Sequence, residues 1–335
     1  MNAHSSPHPF PPSDAPGRER ALVLHGGGSS GNAWEIGVVA GLLAGGLDVT
    51  RADLVVGTSA GSTAAAQLTS APPAELYAAI VDAPPPQRPG APQAGAPGAG
   101  APGAGAPGST RPGAGPDVAR GVAGSVSSQL EVTGRIIASS SDAADMRRRM
   151  GAWARELADG ADPGRQAQWR ATVASRLPGQ DWPEQRILLT AVDASSGEGV
   201  AFDRDSGVSL ADAVAASCSS GFAYAIGDGW YIDGGYRRNE NADLAAGYRR
   251  VLVLSPFGGR NRHPEEWGMQ LDAQVEELRA GGSAVETILP DEASLDAFGE
   301  QMMDLSRRPA SARAGYDQGR AAAKRLDEFW GAGTV

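Results

Sequence analysis

An α/β fold, built on a mixed or mostly parallel sheet with helices on both faces, is what this sequence predicts, and three observations predict it. Two consecutive strand–turn–helix units stand near the start, "ALVLHGGG" running into "NAWEIGVVAGLLAGG" and "DLVVGTSAG" running into a small-residue stretch. Parallel strands joined by crossover helices have this pattern. Short apolar runs then alternate with helical stretches from "RILLTAVD" onward, as in a sheet buried on both sides. Finally, 41% hydrophobic and 20% charged residues over 335 positions is a globular balance, with length enough for a sizeable core.

Taken in order, residues 1 to about 20, "MNAHSSPHPFPPSDAPGRER", are proline-rich with almost nothing to bury, and read as a disordered tail. The fold is expected from Ala21. Trp34, Val38 and Leu42 recur at helical spacing before a stop at Gly45-Gly46, and a second helix is expected from about Ala60 to Ser70. Residues 83–117 interrupt with prolines at 92, 97, 102, 107 and 112 among glycine and alanine. A period of five is not that of collagen, and the stretch reads as a flexible low-complexity linker, with a Pro-rich ligand for a partner domain as the alternative.

A helical segment is expected over residues 118–177, in which Met146, Met150, Trp153 and Leu157 form a stripe at three- and four-residue steps. The stripe reads as core-facing; the alternative is a lid or lipid-touching surface over the site. "RILLTAVD" and "GVAFD" are expected as neighbouring strands, "SLADAVAAS" as a helix, "WYIDGG" as a strand entering a turn, and "RRVLVLSPF" as a buried strand. "PEEWGMQLDAQVEELRAG" and the stretch from about Ala312 to Trp330 complete the pattern as helices around the strand "AVETILP". The organisation expected is a single domain over 21–335, interrupted by the linker and the helical segment.

Composition excludes several functions. A formal charge of −10, with no basic run longer than Arg147-Arg148-Arg149, argues against a nucleic-acid partner. One cysteine, Cys218, excludes an internal disulfide and a multi-cysteine zinc site. With no basic-plus-apolar signal segment and no run of 18 apolar residues, a cytoplasmic protein is expected.

Three stretches carry chemistry. Gly57-Thr58-Ser59-Ala60-Gly61 fits the G-x-S-x-G pattern of a nucleophile elbow. With 46 glycines in the chain, roughly half an occurrence of that pattern is expected by chance, so position must decide. Ser59 stands where a strand turns into a small-residue helix, which is the context an elbow requires; as an N-cap serine it would need no catalytic role. The second stretch, Gly26-Gly27-Gly28-Ser29-Ser30-Gly31, also follows a strand and opens a helix, so its amides can face an anion. Its G-x-G-x-x-G spacing invites a dinucleotide, but the second strand ends in Gly57-Thr58-Ser59 where a ribose-binding acid belongs, and no Gly-Lys-Ser/Thr makes it a P-loop.

The third is "YIDGGYRRNENADLA", where Asp233 precedes Gly234-Gly235. A partly buried carboxylate beside a serine can act as its base without an imidazole, whereas an Asp-Gly pair alone marks a turn. The rival base is His263, which with Ser59 and Asp233 follows the Ser-Asp-His chain order of α/β-hydrolases, and "HGGG" at 25–28 mimics an esterase oxyanion loop. Against that rival, Ser59 follows the second strand rather than a later one.

Together the glycine loop with its following "AW..G", the G-T-S-A-G pentapeptide and the downstream D-G-G with Asn239 resemble the patatin-like phospholipase family over roughly Ala21 to Ser255, the insert excepted. The resemblance implies a three-layer α/β/α fold and a Ser-Asp dyad hydrolysing acyl esters of lipids without metal or organic cofactor. Ser59 would be the nucleophile, Asp233 the base, and the amides of Gly26, Gly27 and Gly28 the oxyanion hole, with Gly31, Gly57, Gly61, Gly234 and Gly235 supporting the turns. Its partners would be a lipid or acyl-ester substrate and, transiently, a membrane surface. Two departures stand out: Ser30 replaces the family's usual basic residue, and Gly221 lies about where a proline is usual.

Overall fold

The computed structural model of the chain describes residues 18–84, 117–161 and 164–331. The tail as far as residue 17 and the Pro/Gly stretch over 85–116 lie outside the described residues.

The two units read from the sequence form as β1 (Arg20–Leu24) into α1 (Gly28–Ala44) and β2 (Leu54–Thr58) into α2 (Ala60–Leu68). Next comes α3 (Pro73–Val81), which sequence reading did not separate out; Pro73 opens it, at a position where the missing N–H costs no hydrogen bond. Three helices make up the middle segment, α4 (Asp117–Ser139), α5 (Ala143–Asp159) and α6 (Arg165–Ala174). Asp142 starts α5 by accepting the Asp145 amide. The remainder runs β3 (Ile187–Asp193), β4 (Gly199–Phe202), α7 (Leu210–Ser217), β5 (Tyr224–Ile226), β6 (Gly229–Asp233), β7 (Arg250–Leu254), α8 (Leu271–Ala280), β8 (Ala284–Ile288), α9 (Glu292–Phe298) and α10 (Arg308–Gly331). The helix expected over "PEEWGMQLDAQVEELRAG" is shorter than expected. A 3₁₀ turn over Glu265–Trp267 ends at Gly268 with φ +61°, and the α-helix starts only at Leu271.

The strand order is β5-β6-β3-β2-β1-β7-β8, with β4 also paired to β3. From β3 to β8 along that order the neighbours are parallel. β4 and β6 run antiparallel to β3, and β5 antiparallel to β6, so a parallel sheet carries an antiparallel edge. Period-two alternation assigns the faces. Leu22 and Leu24 of β1 face the layer of α1, α2, α7 and α10, while Ala21 and Val23 face α8 and the 3₁₀ turn over Ala242–Ala245. The layers are therefore helix, sheet, helix. On the antiparallel part, Met146 and Met150 of α5 are fully buried against Val192 and Ile232. That stripe faces the core there, with Leu157 half-exposed beyond it.

α1 and α10 approach so closely that backbone meets backbone. A Cβ on Gly37 or Gly41 would collide with the carbonyl of Ala312 or Tyr316, and one on Gly315 or Gly319 with the carbonyl of Trp34 or Val38.

Candidate active site

Sheet register brings the three stretches together. Thr58 of β2 pairs with Thr190 of β3, and Ala191 of β3 pairs with Asp233 of β6, so the residue after Thr58 and the last residue of β6 stand one strand apart at the same level. On the other side, Leu24 of β1 pairs with Gly57, which sets the loop after β1 beside the turn after β2.

Ser59 has φ +54° and ψ −120°, one of only two non-glycine residues at positive φ among the described residues. Such a conformation costs about 1–3 kcal/mol and persists only where surroundings impose it. Here β2 fixes one side and α2 the other. The turn is cramped: a Cβ at Gly57 would sit 2.7 Å from the Ser62 Cα, and one at Gly61 would collide with the Leu24 carbonyl. The Ser59 amide donates to the Ser217 Oγ at 3.0 Å, and its carbonyl accepts from the Ser62 hydroxyl at 2.6 Å and the Cys218 thiol at 3.0 Å. The side chain stands at the N-terminus of α2, where the helix dipole favours negative charge.

Asp233 is 6% exposed, with its Oδ1 accepting the Gly235 amide at 2.8 Å. Burial pushes its pKa up to about 6, against the hydrogen bonds from Ser59 and Gly235 that favour the ionised form. The Ser59 side chain thus favours the ionised carboxyl. A Cβ at Gly234 would collide with Thr190 Oγ1, so the turn after Asp233 needs glycine. Beneath both turns lies a residue that sequence reading missed. Asn241, fully buried with φ +51°, places its Nδ2 3.1 Å from Thr58 Oγ1, 3.1 Å from the Gly234 carbonyl and 2.8 Å from the Arg238 carbonyl. Asn239, the asparagine quoted from the motif, donates instead to the Arg260 carbonyl at the surface. Burial, partners and the positive φ all separate the two, and the run "RRNEN" gives no hint of which asparagine goes inward.

Gly26 lies against Ser59, where an added Cβ would come within 2.9 Å of the serine Cβ and 3.5 Å of its Oγ. Among the described residues, the amides of Gly26, Gly27 and Gly28 donate to no group of the chain. Gly28 takes φ +59°, and Gly31 closes the first turn by donating to the Gly27 carbonyl. The missing basic residue at Ser30 has a counterpart from elsewhere. Arg308, at the start of α10, donates from Nη1 to the Ser29 carbonyl at 2.9 Å and to Asn32 Oδ1 at 3.0 Å. The Ser30 amide donates to the Met302 carbonyl at 2.9 Å. A partner 279 residues away in the chain leaves no trace in a local motif.

The two histidines of the fold are engaged elsewhere. His25 is buried, edge-on to Phe257, with Nε2 3.9 Å from Glu240 Oε1. Burial pushes its pKa down to about 3, and that of Glu240 up to about 7. His263 places Nδ1 2.5 Å from Asn261 Oδ1 beside Trp267, and burial pushes its pKa down to about 4. No hydrogen bond or ion pair among the described residues joins it to Ser59 or Asp233. Gly221, the second departure, borders α4: Gln129 donates to the neighbouring Ser220 carbonyl at 2.7 Å, and Tyr236 to the same oxygen at 2.6 Å. Among the described residues, no group of histidine, cysteine and acidic side chains is arranged to hold a metal ion, and no helix is long and apolar enough to cross a membrane.

The class defined by this architecture is an α/β/α protein with a strained serine elbow after its second strand. The model of the patatin-like phospholipase family matches residues 22–115, in agreement with the resemblance carried by the motifs. The match takes in the glycine loop and the elbow and ends before Asp233. The family is one of lipid acyl hydrolases, which act on lipid esters. Among curated proteins, none matches the chain.

Proposed function

We propose that the chain hydrolyses carboxylic esters of lipids through a Ser59–Asp233 dyad and an acyl-enzyme. The observation that carries this reading is the strained Ser59, set by the strand register at the level of the buried Asp233 and with its Cβ against Gly26. Strain at a serine is worth maintaining where the hydroxyl must be presented, and an N-cap alone does not need it.

In the first half-reaction Asp233 accepts the Ser59 proton as Oγ attacks the ester carbonyl, and the oxyanion settles on the amides of Gly26, Gly27 and Gly28. Protonated Asp233 then returns its proton to the departing alkoxide, leaving the acyl group on Ser59. In the second, Asp233 takes a proton from water, the resulting hydroxide attacks the acyl-serine, and the carboxylic acid leaves as Ser59 recovers its proton. A carboxyl with its pKa near 6 suits both directions close to neutral pH.

Fluorophosphonate labelling of the folded chain, followed by p-nitrophenyl ester turnover, tests the reading. The expected result is covalent label on Ser59, and turnover lost in Ser59→Ala and Asp233→Asn but kept in His263→Ala. Equal damage from His263→Ala would replace the dyad with the Ser59-Asp233-His263 triad. Absence of label on the wild type would leave a non-catalytic relative.

A further inference from the structure

A cavity of about 480 Å³ opens between α1, α3 and the start of α10, and neither Ser59, Asp233 nor any loop glycine lines it. Its walls are mainly apolar, with Ile36, Leu76 and Ile80 among them, and its volume falls in the range of small-molecule sites. Two arginines, Arg176 and Arg308, stand at its polar side.

The other polar lining groups are already paired. Gln67 donates to the Arg176 carbonyl at 2.9 Å and accepts from Asn32 at 3.1 Å, and the Ser306 hydroxyl donates to Asp304 at 2.7 Å. The arginines differ. Arg308 spends Nη1 on two neutral acceptors, and Arg176 lies with its guanidinium 5.7 Å from the centre of the Trp169 ring. Among the described residues neither forms an ion pair with a carboxylate. Burial, and then the charge of Arg176, push the Arg308 pKa down to about 10. Two guanidinium groups thus share one cavity without a counter-charge, above an apolar wall. An anion between them would relieve their repulsion, and a planar carboxylate matches the guanidinium fork. The apolar wall would reward an attached chain.

We propose that this cavity binds the carboxylate of an alkyl-chain acid, with the head group between Arg308 and Arg176 and the chain along Ile36, Leu76 and Ile80. The proposal does not rest on the Ser59 reaction, although Arg308 also holds the Ser29 carbonyl of the glycine loop, and its test is a binding measurement. Calorimetry on the full chain would compare octanoate, decanoate and laurate below their micelle concentrations, with inorganic phosphate as the chainless anion. Affinity is expected to rise about fourfold per added methylene. Phosphate should bind at least about tenfold more weakly than laurate, and Arg176→Ala should weaken laurate by about tenfold, the loss of one charge-assisted hydrogen bond. Arg176 is exposed and touches neither the elbow nor the glycine loop, so Ser59 labelling and the melting temperature should stay as in the wild type. Laurate binding equal in wild type and Arg176→Ala, phosphate as tight as laurate, or no saturable laurate binding would each overturn the proposal. Ser59 labelling has no part in these outcomes, so its failure would sink the ester hydrolase alone.

Discussion

The elbow at Ser59 and the seam between α1 and α10 are built from the same small residues and meet opposite demands. Along the seam, Gly37, Gly41, Gly315 and Gly319 sit in ordinary helix, and each is glycine because the opposite backbone occupies the space of a Cβ. At the elbow, glycines 57 and 61 give room in the same way, but the residue between them at φ +54° is a serine. A conformation that glycine would adopt without cost is imposed on a side chain. The seam spends its glycines on contact, whereas the elbow accepts strain to keep one hydroxyl.

The largest test of this contrast is Ser59→Gly, which should cost at least about 10³-fold in ester turnover. It should also raise stability by about 1 kcal/mol, because the strained backbone then suits its residue. A fall in melting temperature would remove strain from the account of the elbow. Asp233→Asn should cost a similar factor in turnover while keeping the bond from Gly235. Its stability effect has a defined sign. The folded pKa of Asp233, about 6, stands above the ordinary 3.8, so between these values the folded chain binds more protons than the unfolded one. Wild-type stability therefore falls as pH rises through that window, by about 3 kcal/mol, and Asp233→Asn should not show this share of the loss. In wild-type kinetics kcat/KM should rise with pH and level off above an apparent pKa of about 6.

The seam should answer the other way. Gly41→Ala should destabilise by about 3 kcal/mol, from overpacking against the Tyr316 carbonyl, measured by urea unfolding, while kcat of the folded fraction stays near wild type. Between the regions stands Arg308, which begins α10 and holds the Ser29 carbonyl. Arg308→Ala should lower kcat about tenfold with little change in KM, the loss of one charge-assisted hydrogen bond to the loop, and Arg308→Lys should recover part of it. The smallest effect belongs to His263→Ala, with turnover expected within about twofold of wild type, since its ring bonds Asn261 and neither Ser59 nor Asp233.

The motifs were legible to different depths. The glycine loop and G-T-S-A-G were readable with their elements, because a tight turn between strand and helix is local chemistry: glycine spacing, a preceding apolar run, a following small-residue helix. Asp233 was readable as a partner only with the help of the resemblance, since an Asp-Gly pair on its own serves as well for a plain turn. Its role depends on register, Thr58 against Thr190 and Ala191 against Asp233, and a register is a property of paired strands. Ser30 was read as a lost charge. The fold supplies a charge to that loop from Arg308, which no local reading could associate with it.

By itself the sequence determined the alternation of strands and helices, the two glycine turns and the serine between Gly57 and Gly61, because periodicity and backbone permissiveness act within a few residues. Only the tertiary structure decided which asparagine lies beneath the elbow, that His263 is bonded to Asn261 away from Ser59, and that Asp233 is buried deeply enough to hold a proton near pH 6. Those outcomes depend on desolvation and on contacts between distant segments, which come into being when the sheet closes and water leaves.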